Sequence, residues 1–181
     1  MPFDYRPLSP AGLVLVRPKV FTDPRGAFME TYRRSDFERA GIRGEFVQDN
    51  VARSVRRGVL RGLHFQRAPH AQAKLVRCTR GKVWDVAVDI RRGSATFGRH
   101  LAMELSAEDA AVLYVPSGFA HGYVTLSDDS EVSYKVDADW APSSEGGILW
   151  NDPDLAIPWP LESPILNERD RGWPRLKDLG A

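Results

Sequence analysis

Four histidines, His64, His70, His100 and His121, are the side chains of this chain best suited to moving protons near neutrality or holding a metal. His64 and His70 stand six apart, His100 stands alone, and His121 follows the turn Pro116-Ser117-Gly118-Phe119-Ala120. Metal sites on small β-barrels typically begin with two histidines one residue apart on one strand face, and here the second place holds Gln66. Three ligands could still be drawn from His64, His70 and His121, but the spacing does not demand them, so no bound metal is expected. Tyr134 shares a strand face with Val132 and Val136, whereas Glu131, Ser133, Lys135 and Asp137 take the other. It therefore points inward, as a core tyrosine or as a phenol in a site. Strict alternation puts Leu60, Gly62, His64 and Gln66 on one face and Arg61 on the opposite one, unless Gly62 marks a bulge. Between residues 83 and 90, Trp84, Val86, Val88 and Ile90 form an apolar face. The other face carries Asp85 and Asp89 with Val83 and Ala87, and it reads as solvated or as the wall of an interior cavity.

The elements that must hold these groups are short. Residues 13–16, 19–21, 59–65, 74–79, 83–90, 101–105, 112–115, 123–126 and 131–136 read as strands, with Thr22-Asp23-Pro24-Arg25-Gly26 a turn by composition. Spacing of about ten residues without helical patterns between them predicts an antiparallel sandwich or barrel rather than βαβ units. Ser35-Asp36-Phe37-Glu38 has capping-box form with Gly41 where a helix would stop, and Ser106-Ala107-Glu108-Asp109 is a similar, weaker start. From about residue 140 the chain becomes rich in Pro and Trp. Trp150, Leu155, Ile157, Trp159 and Leu161 would not stay in water, so this stretch is expected to be an ordered extension laid over the sheet.

Composition narrows the function. The chain has 181 residues, enough for one domain spanning 1–181, and 43 % hydrophobic residues support an ordinary core. Lys and Arg number 25 against 24 acidic residues, so no basic excess points to nucleic acid. One cysteine, Cys78, cannot close an intramolecular disulfide. No apolar run is long enough for a membrane helix, and Met-Pro-Phe-Asp-Tyr lacks a basic-then-apolar leader, so a cytoplasmic protein is expected.

Taken in order, the stretches Gly58-Val59-Leu60-Arg61-Gly62-Leu63-His64-Phe65-Gln66, Lys74-Leu75-Val76-Arg77 and Asp85-Val86-Ala87-Val88-Asp89 resemble the dTDP-4-dehydrorhamnose 3,5-epimerase family. Pro116-Ser117-Gly118-Phe119-Ala120-His121-Gly122, Trp150-Asn151-Asp152-Pro153 and Ile157-Pro158-Trp159-Pro160 continue it. The resemblance implies an all-β, cupin-type jelly-roll barrel with a few short helices and an irregular C-terminal extension over about 140–181. It also implies a homodimer and no metal or organic cofactor. The implied substrate is dTDP-4-keto-6-deoxy-D-glucose, inverted at C3 and C5 to dTDP-4-keto-L-rhamnose. The ketone acidifies both flanking carbons, so the chemistry needs a base on one face, an acid on the other and a positive group at the enolate oxygen. By resemblance His64 is the base, Asp170 its carboxylate partner, Tyr134 the opposing acid and Lys74 the cation near the ketone. Arg25, Glu30, Gln48, Asn50, Arg61, Lys74, His121, Glu145 and Arg169 are implied in substrate contacts, the arginines suiting a diphosphate. Asp85 reads as a residue behind the site or as simple strand-face polarity. Asp139 stands before Trp140 where relatives usually carry an aromatic pair, and Asn167 and Arg169 replace a common serine and lysine. The wider family has members acting on one carbon, so inversion of C3 alone or C5 alone is the alternative. A metal-dependent cupin and a non-catalytic sugar-binding barrel are the remaining readings.

Overall fold

In the computed structural model, which describes residues 2–180, thirteen strands are assigned and helices are few and short. The strands are β1 (Phe3–Pro7), β2 (Val14–Pro18), β3 (Val20–Asp23), β4 (Gly26–Met29), β5 (Gln48–Ser54), β6 (Leu60–Gln66) and β7 (Lys74–Arg80). They continue as β8 (Lys82–Asp89), β9 (His100–Ser106), β10 (Val112–Val115), β11 (Phe119–Thr125), β12 (Ser130–Val136) and β13 (Glu145–Gly147). Helix α1 spans Arg34–Arg39 and α2 spans Glu168–Arg171. One sheet runs β1-β2-β10-β7-β12-β5, the facing sheet runs β13-β6-β11-β8-β9, and β3 with β4 forms a separate hairpin. This is the all-β jelly-roll arrangement that the sequence led us to expect.

Three apolar layers hold it. Leu13, Leu15, Val76, Cys78, Leu113 and Val132 of the six-stranded sheet meet Val83, Ala87, Leu105, Phe119 and Tyr123 of the other. On the outer side of the five-stranded sheet, Leu63, Phe65, Val86, Val88 and Ala120 pack under Ile148, Leu155 and Leu176, with Ile157 and Trp159 partly buried beside them. On the outer side of the six-stranded sheet, Phe3, Val16, Leu75 and Val112 are covered by Phe37 and Ile42. Burying each such large side chain favours folding by about 1.5–3 kcal/mol, so sheet faces that look amphipathic in isolation are covered on both sides.

That double covering corrects the solvated reading of β8. Asp85 and Asp89 are both 0 % exposed, because their face turns into the barrel. Asp89 is matched by Arg91, Ser94 and Thr96, which donate to its carboxylate. Two helix signals also differ from expectation. Ser35 lies inside α1, whose N-cap is Arg33 without a side-chain cap, while the stop before Gly41 is where the composition put it. Ser106 does accept from the Asp109 N–H at 3.1 Å, but the chain only turns there, and Ala110 at φ 51° ends it. β1, β4, β5, β13 and α2 had no sequence signal strong enough to announce them. β5 is the instructive case: Gln48, Asn50 and Ala52 face inward, so a wall strand carries a polar inner face.

Candidate functional site

The site begins at a break in strand regularity. His64 lies opposite His121 and Arg61 opposite Tyr123, so three steps along β6 match two along β11. This bulge brings Arg61 onto the face of His64, and strict alternation would have set them apart. Gly62 makes it possible: its φ is 130°, and a Cβ there would lie 2.5 Å from the Gly122 Cα.

The bulge also meets the far end of the chain. Asn167 caps α2 by accepting from the Asp170 N–H at 2.7 Å, which turns the Asp170 side chain inward, where it is 1 % exposed. Asp170 Oδ1 lies 2.7 Å from His64 Nε2 and accepts from the Trp173 indole at 3.3 Å, and Oδ2 accepts from the Gly62 N–H at 3.1 Å. Burial alone would raise this carboxyl. The His64 ring, the Gly62 N–H and the Trp173 indole outweigh burial and hold it below its ordinary range. With its Nε2–H given to Asp170, neutral His64 carries its lone pair on Nδ1.

Around His64 the two sheets enclose a cavity of about 410 Å³. From the five-stranded sheet come Arg61, His64, Gln66, His121, Tyr123 and Glu145, and from the facing sheet Gln48, Asn50, Lys74 and Tyr134. Asn167, Arg169 and Asp170 close one side, and Trp140 stands at the rim, 58 % exposed. A second histidine–carboxylate pair lies behind: His121 Nε2 is 2.9 and 3.0 Å from the two oxygens of Asp85. Burial pushes the Lys74 ammonium down from 10.5 to about 8, and Asp85 and Glu145 only partly offset this. Burial raises the Tyr134 phenol, with Arg61 pulling it back and Glu145 adding to the rise.

Of the side chains singled out in the sequence, the fold brings together His64, Tyr134, Asp170, Lys74, Gln48, Asn50, Arg61, His121, Glu145 and Arg169. Arg25 and Glu30 are not among them. Arg25, 90 % exposed, pairs with Asp23 at 2.5 Å on the hairpin, and Glu30 pairs with Arg33. His70 is exposed and lies off the cavity wall, and no group of three or more potential metal ligands occurs among the described residues. Gln66, in the place of a metal-binding histidine, donates to the Asp139 carbonyl and accepts from the Ala141 N–H, which sets Trp140 at the rim. Asp139 itself is exposed and off the wall. Tyr123 and Trp140 line the cavity without having been singled out. Inward alternation with His121 was the available signal for Tyr123.

The order of these elements along the chain can be compared with known proteins. The family model described as dTDP-4-dehydrorhamnose 3,5-epimerase matches residues 7–178. The chain belongs to that family. This makes it a member of an isomerase family built on the cupin-type fold. It is 53 % identical over 161 residues to dTDP-4-dehydrorhamnose 3,5-epimerase of Pseudomonas aeruginosa, covering 88 % of each chain. The crystal structure of the Elizabethkingia anophelis enzyme of that name is 47 % identical, covers 99 % of both chains and superposes with a TM-score of 0.94. A Legionella pneumophila dTDP-6-deoxy-D-glucose-3,5-epimerase, solved in complex with dTDP-4-keto-L-rhamnose, is 40 % identical. It has a TM-score of 0.94, with coverage of 98 % of this chain and 95 % of that one. Among the described residues no helix is long and apolar enough to cross a membrane.

Proposed function

We propose that the chain inverts C3 and C5 of dTDP-4-keto-6-deoxy-D-glucose by removing and returning protons beside the ketone. The observation that carries this is the placement of a histidine–carboxylate pair and a phenol on facing sheets, with a lysine between them on the cavity wall. Neutral His64 takes the proton, and Asp170 stabilises the imidazolium that results. The enolate oxygen that develops faces the Lys74 ammonium. Tyr134, on the opposite sheet, returns a proton to the other face of the carbon. Gln48, Asn50, His121 and Glu145 contact the sugar and nucleotide, Arg61 and Arg169 hold the diphosphate, and Trp140 offers its exposed ring to the base.

Two further parts of the reading concern assembly and place. The hairpin β3–β4 exposes Phe21 at 50 % and Phe28 at 68 %, an apolar surface suited to a second copy of the chain. A homodimer in which the hairpin reaches the neighbouring cavity would give Arg25 and Glu30 their substrate contacts. Size-exclusion with light scattering tests it: a monomer at working concentration refutes the dimer. A nucleotide-sugar substrate made inside cells fits a cytoplasmic enzyme.

The function itself is tested by incubating dTDP-4-keto-6-deoxy-D-glucose with the protein in heavy water and reading the product by NMR. Deuterium at both carbons with inversion supports the proposal. Label at one carbon only assigns the single-carbon activity, and binding with no exchange leaves a sugar-binding barrel.

A further inference from the structure

Tyr123 stands on β11 between Arg61 of β6 and Asp85 of β8, its neighbours across the two ladders. It is 5 % exposed and borders the cavity, and its ring belongs to the layer between the sheets. Its hydroxyl oxygen is buried and has no hydrogen-bond partner. Such an oxygen costs stability, and a phenylalanine would fill the same space without that cost. Burial raises the Tyr123 phenol strongly, and the groups close enough to modulate it are Arg61, Tyr134, Asp85 and Cys78. Asp85 is engaged with His121, and the Cys78 thiol is turned to the carbonyls of Arg80 and Gly81. Arg61 has only donors to offer. Tyr134 remains, and it is the one neighbour whose charge changes during the reaction proposed above.

We propose that Tyr123 is a positioning residue for Tyr134, its O–H turning to donate a hydrogen bond to the Tyr134 oxygen once that phenol has given its proton to the substrate carbon. The inference rests on the reading of Tyr134 as the acid. The protons balance: the one removed from carbon stays on the His64 ring beside Asp170, and the one delivered leaves Tyr134 as a phenolate. Solvent later takes a proton from His64 and returns one to Tyr134. A phenolate formed in a buried site needs a donor at that moment. Tyr123 supplies it from an oxygen that has no other engagement.

The test uses the full chain with Tyr123→Phe, Tyr134→Phe and both together, on dTDP-4-keto-6-deoxy-D-glucose in heavy water. The readings are deuterium incorporation, inversion, KM and melting temperature. Tyr123→Phe is expected to slow inversion by about 10- to 100-fold, the loss of one hydrogen bond to a charged oxygen, with KM little changed. Its ratio of exchange with retention to inversion should rise, its melting temperature should not fall, and the double variant should invert no more slowly than Tyr134→Phe. Additive losses in the double variant overturn the inference, as does a wild-type ratio in Tyr123→Phe. So does a lower melting temperature with kcat and KM moving together, which marks a packing role. If Tyr134→Phe itself inverts at the wild-type ratio, the assignment of Tyr134 as acid fails, and this inference fails with it.

Discussion

Lys74 is the place where activity and stability should pull apart most measurably. Moving its ammonium from 10.5 in the open chain to about 8 in the fold disfavours the charged form by about 3 kcal/mol, an upper figure for a group that borders a cavity. Below pH 8 the group is protonated in both states, so the folded protein carries that whole cost. Between pH 8 and 10.5 the unfolded chain binds more protons than the folded one, so wild-type stability attributable to Lys74 rises with pH across this window. Lys74→Met keeps a similar unbranched volume and removes the charge. The variant should therefore be more stable at pH 7, by up to ~3 kcal/mol or roughly 6–12 °C in Tm, and the advantage should vanish as pH approaches 10.5. Turnover should fall by about 10²–10³, the usual loss when a group stabilising a developing oxyanion is removed. Urea titrations at several pH values, with initial rates of epimerisation, read both quantities. A variant no more stable than wild type at pH 7, or a stability difference constant from pH 8 to 10.5, would refute the argument that burial strains this cation.

The same group should shape the pH profile of wild type: kcat/KM declines as pH rises through about 8, and Lys74→Arg, charged throughout, moves that decline upward in a pH–rate series. Asp170→Asn should cut turnover by about 10²–10⁴, because an amide cannot accept from His64, Gly62 and Trp173 as a carboxylate does. Since the Asp170 carboxyl is held low, its contribution is complete above its ordinary 3.8 and is lost as pH falls through the folded value; the variant should be less stable at pH 7 by about 1.5–3 kcal/mol, the gap closing in acid, as denaturant melts will show. Gly62→Ala should lower both stability and turnover, because its Cβ would meet the Gly122 backbone at 2.5 Å and close the bulge that joins Arg61 to His64; equal melting curves and rates would count against that account.

Much of this protein is legible in one dimension. Ordered motifs such as Gly58–Gln66 and Pro116–Gly122 carried the family, and alternation over 131–136 was enough to turn Tyr134 inward, because side-chain direction along a strand is a local property. Pairings between distant residues are not local. His64 and Asp170 lie 106 positions apart, and only the packing of α2 against β6 sets their 2.7 Å contact. Alternation placed Arg61 away from His64, and the ladder with β11 reversed that through a bulge whose extra residue no periodicity records. Asp85 looked like surface because a carboxylate is costly to bury unless a partner arrives, and its partner, His121, comes from the neighbouring strand. β5 stayed hidden for a related reason: its inner face serves a polar cavity, so it lacks the apolar stripe by which a strand announces itself. The sequence determined which groups are present and which way each strand throws its side chains. Tertiary structure decided which of them meet, because burial and pairing depend on what the rest of the chain brings opposite.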